Sequence, residues 1–120
     1  MPKNSRKHPR FPMSGLVVVK APEKNIQCSG TIEMISLGGI GVYTREKIDP
    51  GTPVTLEIIS FIGGVSANYG MTGRIRNQDR NSEFGVLGVE YEKEITQGDY
   101  PKLFEILSSL SSRLVQYNNS

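Results

Sequence analysis

The residues best suited to gripping an anion lie at the start of the chain, in Arg6-Lys7-His8-Pro9-Arg10. Lys3 precedes them, and no acid occurs before Glu23. A guanidinium is a planar fork that pairs two ways with a phosphate, and two ways with the O6 and N7 edge of guanine. Pro9 pushes His8 into an extended conformation, so Arg6 and Arg10 are not a helical pair. In an extended chain their even separation sets both forks on one side, roughly 13 Å apart. Read alone, the run is also what a solvated basic tail looks like. A second group of interest is Ser36-Leu37-Gly38-Gly39. A serine hydroxyl donates to phosphate oxygens, and glycines allow close backbone approach and expose N–H groups to an anion. The same residues are ordinary hairpin residues. Two forks on an arm, facing a serine–glycine turn, would suit a compact guanine nucleotide with phosphates in its middle.

Other chemistry is missing. With one histidine and one cysteine, on separate segments, no metal-ligating cluster is expected. The acids are scattered, with Glu90, Glu92 and Glu94 alternating along a solvated strand exit, and no phosphate-binding loop followed by lysine occurs. No catalytic residue and no cofactor are expected. The net charge of +2 arises from the first twenty residues, too local an excess for a general binder of nucleic-acid polymers. The single cysteine, Cys28, excludes an internal disulfide and fits a reducing compartment. No apolar run has the length of a membrane span or of a signal h-region, so a cytoplasmic domain is expected.

These residues need a scaffold. Residues 1–10 lack apolar periodicity and read as a flexible arm. Residues 11–120 read as one domain, with 37% of the chain hydrophobic. Leu16–Val19, Cys28–Ile35, Ile40–Thr44, Val54–Phe61, Tyr69–Arg76 and Phe84–Tyr91 have β-branched or alternating patterns of short strands. Pro22–Asn25, Asp49-Pro50-Gly51 and Gly63-Gly64 read as turns, and Asn77–Glu83 as a polar loop. From Tyr100 to Tyr117 the apolar positions Leu103, Leu107, Leu110 and Leu114 recur three or four apart, giving an amphipathic helix within about 96–117. Thr96 or Asp99 can cap it. Its apolar face is expected to close an open end of the sheet; a paired helix in a homodimer is the minor alternative to a monomer. The expected fold is mainly β, a six-stranded antiparallel barrel with a C-terminal α-helix.

The order Arg6-x-x-x-Arg10, then Ser36-x-x-Gly39 between the second and third strands, resembles the PilZ domain, a bacterial module that binds cyclic di-GMP. Asp49-Pro50-Gly51-Thr52, Leu87-Gly88-Val89-Glu90-Tyr91 and the closing helix resemble it too. The resemblance implies that Arg6 and Arg10 hold guanine edges and phosphates. Ser36 and Gly39 would complete the pocket, with Lys7, Met34 and Gly38 beside them. It also implies that the arm orders over the ligand and changes what a downstream protein partner meets.

One position departs from the family pattern, D/N-x-S-x-x-G. Met34 stands where that pattern has an acid or amide, and methionine offers only packing to a base. Glu33 is adjacent, but neighbours on a strand point to opposite faces, so it could substitute only through a bulge. Two further functions follow from the residues. One is a PilZ-like protein-interaction module with weakened or lost nucleotide binding. The other is a single-strand binder using Tyr43 and Tyr69 near Arg45, Arg74 and Arg76.

Overall fold

The computed structural model of the chain describes residues 8–62, 65–80 and 83–118. Six strands are present: β1 (Gly15–Ala21), β2 (Ile26–Ile35), β3 (Gly39–Thr44), β4 (Pro53–Ile62), β5 (Val65–Arg80) and β6 (Gly85–Tyr91). They close into an antiparallel barrel in the order β1-β2-β3-β6-β5-β4. The alternation in the sequence decides which way each strand faces. Val17, Val19 and Ala21 of β1, and Val54, Leu56 and Ile58 of β4, point into the core, while Lys20, Thr55 and Glu57 face water.

Two local features differ from expectation. Pro22–Lys24 forms one turn of 3-10 helix, ended by Asn25 in the left-handed region at φ 55°. Strand β5 continues to Arg80 through residues expected to form a loop. Asn77 to Arg80 are polar, but they pair with Gly85 to Gly88 of β6, and a bulge between Ile75 and Asn77 resets the register. A solvated ladder tolerates polar side chains, so composition alone does not mark its end.

Helix α1 (Pro101–Asn118) follows β6. Thr96 prepares its entry: its hydroxyl accepts from the Asp99 N–H at 3.2 Å and its carbonyl from the Tyr100 N–H at 2.9 Å. Pro101 then takes the first helical position, where a missing N–H costs nothing. Leu103 and Leu107 are buried in the same core as the strands, and Phe104 and Leu110 pack partly against it. Tyr100 ties the helix to the barrel wall. Its hydroxyl donates to the Gly70 carbonyl at 2.6 Å, and its ring meets Tyr69 edge-on at 6.3 Å. The described part of the apolar face is therefore occupied within the chain. Leu114 and Tyr117, at the end of the predicted stripe, lie outside the described side chains.

Candidate functional site

Three segments converge at one rim of the barrel. The first is the arm. Phe11 and Ile35 exchange backbone hydrogen bonds of 2.9 and 2.8 Å, which extends the antiparallel path of β1 beside β2. Ile35 is fully buried, and Phe11 packs partly against the core beside it. Alternation about this bridge puts Arg10 on the outer side, and Arg10 is exposed. Continuing backwards, His8 lies on the turn at Gly38, where an added Cβ would meet its ring at 3.3 Å. His8 Nε2 is 3.1 Å from a Glu94 carboxylate oxygen, though out of hydrogen-bond alignment. Arg6 and Lys7 lie outside the described residues.

The second segment is the Ser36–Gly39 turn. Ser36 is buried, and its hydroxyl oxygen accepts from the Gly38 and Gly39 N–H groups, both at 3.2 Å. The Ser36 N–H donates to the Gly39 carbonyl at 2.9 Å, and its hydroxyl reaches the same oxygen at 3.3 Å. The serine thus closes the turn on itself. The glycine N–H groups, expected to face an anion, are satisfied inside it. Gly39 has a separate reason to be glycine: a Cβ would stand 2.5 Å from the Val89 carbonyl of the neighbouring strand.

The third segment is the exit from β6. The Tyr91 N–H donates to the Gly38 carbonyl at 3.0 Å, and the Ile95 N–H to the Leu37 carbonyl at 2.8 Å. The turn is therefore held from behind by the stretch leading to α1. Tyr91 itself is buried; its phenol finds no partner, and burial pushes its pKa well up. Burial also raises the pKa of the half-buried Cys28 thiol, with the Thr44 hydrogen bond pulling the other way and Glu46 adding to the rise.

Strand β2 bulges beside this rim. Ile32 pairs with Val42 and Met34 with Gly41, so Glu33 is the extra residue. The bulge lets Ile32 and Ile35 both face the core, and Glu33 and Met34 are both half-buried. Met34 shares the outer face with Gly41. Glu33 shares it too, since a Cβ on Gly41 would meet its Oε1 at 2.5 Å. The strict alternation that set Glu33 opposite Met34 does not hold here. A sequence signal existed: Ile32 and Ile35 are three apart, one more than a regular inward pair. Gly88, paired with Gly41 across β3 and β6, carries the Asn77 side chain in the same way. Neither this row of glycines nor the His8–Glu94 contact was foreseen from the sequence.

The remaining candidates are structural. Tyr69 packs on Tyr100, Arg74 donates to the Gly51 carbonyl at 2.7 Å, and Arg76 pairs with Glu90 at 3.1 Å. Arg45 sits over the Phe84 ring at 4.8 Å. Only Tyr43 of the proposed stacking pair has an exposed ring, at 47%. A hollow of about 280 Å³ lies on another wall, between Lys20, Glu57 and Asn68; Tyr69 lines it, and Arg10, Met34, Ser36, Gly38 and Gly39 do not. Among the described residues no group of histidine, cysteine and acidic side chains could hold a metal ion, and no helix is long and apolar enough to cross a membrane.

Comparisons with known proteins fit this geometry. The structure of the Bacillus subtilis inhibitor of motility (MotI/DgrA) superposes with a TM-score of 0.71 at 20% identity, covering 92% of this chain. The chain spans only 52% of that protein's length. The PilZ domain of Escherichia coli YcgR, solved with c-di-GMP, gives a TM-score of 0.66 at 14% identity, covering 98% of this chain and 99% of the domain. The PilZ domain of CeSA from a cellulose-synthesizing bacterium gives 0.53 at 19% identity, covering 86% and 98%. A comparison with curated protein sequences found no match. The sequence profile of the PilZ domain matches residues 4–109, nearly the whole chain. By fold and by sequence, the chain belongs to the PilZ domain family.

Proposed function

We propose that the chain is a cyclic di-GMP receptor that passes the signal on by reseating its N-terminal arm against a protein partner. One observation carries the reading: Phe11, at the root of the arm, pairs with Ile35 and His8 lies against Gly38, so Arg10 between them emerges on the outer face beside the Ser36–Gly39 turn. The Escherichia coli relative solved with this ligand supports it. Arg10, with Arg6 four residues before it in the sequence, pairs with phosphate oxygens and with the O6 and N7 edge of guanine. Lys7 adds charge. Ser36 holds the turn, and its hydroxyl proton, on a long 3.3 Å contact, is free to rotate toward a phosphate. Gly38 and Gly39 let arm and ligand approach the backbone, while Met34 packs against a base. The role is that of a binding adaptor with no catalytic step, and an intracellular messenger fits a cytoplasmic location.

Titration calorimetry of the wild type and Arg10→Ala with cyclic di-GMP tests this. Saturable binding that the substitution severely weakens is expected. A second reading, a protein-interaction module that no longer holds the nucleotide, is favoured by Met34, which presents a thioether on the outer face where the family has a polar side chain. Absence of heat at high ligand concentration decides for that module.

A further inference from the structure

Glu33 is a half-buried carboxylate on the outer face. Among the described residues it has no cation within ion-pair distance. It is held there by the bulge, which adds Glu33 to the strand without a cross-strand partner and turns it to the same side as Met34. Gly41 supplies the space: the carboxylate lies where a side chain at that position would be. The next outward position across the ladder, Gly88, also lacks a side chain, and the Asn77 amide fills that space.

We propose that Glu33 reads the Watson–Crick edge of a guanine, supplying the polar contact that Met34 lacks. The inference rests on the cyclic di-GMP reading above. Guanine presents two adjacent donors, N1–H and the exocyclic N2 amine, and a carboxylate accepts from both at once. Adenine presents a bare N1 lone pair at the same place, which a carboxylate repels. Arg10 reads the opposite O6 and N7 edge, so the two residues recognise different sides of a base, and Glu33 contributes selectivity where Arg10 contributes grip.

The test compares cyclic di-GMP with cyclic di-IMP, whose hypoxanthine bases lack the N2 amine but keep O6 and N7. Calorimetry on the full chain would measure wild type, Glu33→Ala, Glu33→Gln and Arg10→Ala. The wild type is expected to prefer cyclic di-GMP by about tenfold or more, the worth of one hydrogen bond to a charged group. Glu33→Ala should bind the two ligands equally. Glu33→Gln, which keeps the shape but only one acceptor oxygen, should fall between, and serves if the alanine variant misfolds. Arg10→Ala should weaken both ligands in parallel and leave their ratio unchanged. If both Glu33 variants keep the wild-type preference while cyclic di-GMP still binds, the inference is overturned and the receptor reading stands. If the wild type binds neither ligand, both fall together.

Discussion

Phe11 and Ile35 exchange two backbone hydrogen bonds, at 2.9 and 2.8 Å, and this one bridge seats the arm against the barrel. An isolated bridge is weak unless side chains hold it, and here the Phe11 ring packs against the core. Phe11→Gly removes that packing and frees the backbone. We expect faster hydrogen exchange at the Ile35 amide and roughly tenfold weaker cyclic di-GMP binding, since the ligand must then order the arm itself. Unchanged exchange at Ile35 would mean that the ring is not what holds the arm.

Gly39 and Gly41 both sit on β3, and substitution by alanine should separate them. At Gly39 the obstacle is a backbone carbonyl, Val89 O at 2.5 Å, so β3 and β6 must part. Gly39→Ala should cost about 1–3 kcal/mol in denaturant unfolding. At Gly41 the obstacle is the end of the Glu33 side chain, which swings away. Gly41→Ala should leave stability within about 1 kcal/mol, yet lower the preference for guanine over hypoxanthine, because it displaces Glu33.

Met34→Asp restores the family's acid. With Glu33 already on that face, the gain should be less than about tenfold, because two neighbouring carboxylates repel and compete for the same donors. A hundredfold gain would show that Glu33 contributes nothing to the wild-type site.

Tyr91 predicts an alkaline effect. Its folded-state pKa is raised above the ordinary 10.0, so the neutral phenol is the form that folding favours. That stability is complete below the unfolded value and is lost as pH rises beyond it. Above about pH 10, unfolding free energy should fall by up to about 1.4 kcal/mol per pH unit. Tyr91→Phe should remove this part of the slope. Because the hydroxyl has no partner, the variant should be as stable as wild type near neutrality, or more so. Urea unfolding at pH 7 and pH 11 measures both.

Leu107, buried at 1% exposure, tests the helix. Leu107→Ala should lower stability by about 2–5 kcal/mol in thermal or denaturant unfolding. A smaller loss would mean that the barrel closes its own core without α1.

The barrel was legible because its strands alternate and its turns carry glycine and proline in the expected places. Val54, Leu56 and Ile58 against Thr55 and Glu57 fixed both the existence and the facing of β4. What was not legible depended on partners distant in sequence. Asn77 to Arg80 look like a loop until β6 lies beside them, because nothing local favours a polar strand. The β2 bulge hides because Ile32, Met34 and Ile35 are all apolar, and only pairing with Val42 and Gly41 reveals which residue is extra. The contact of His8 with Glu94 joins residues from opposite ends of the chain, so no spacing rule could find it. For the candidate site, the turn and Arg10 were readable as residue types. The orientation of the Ser36 hydroxyl, into the turn, was not.

The peptide at Leu37–Gly38 is gripped from two sides. His8 rests on Gly38, while the Leu37 and Gly38 carbonyls hold the amides of Ile95 and Tyr91. A closed ladder of strands resists deformation, since any shear must break bonds on both neighbours of every strand. At this rim the arm and the stretch that carries α1 meet on one short peptide. His8 and Ile95 come together there on one turn, although nearly ninety residues separate them in sequence.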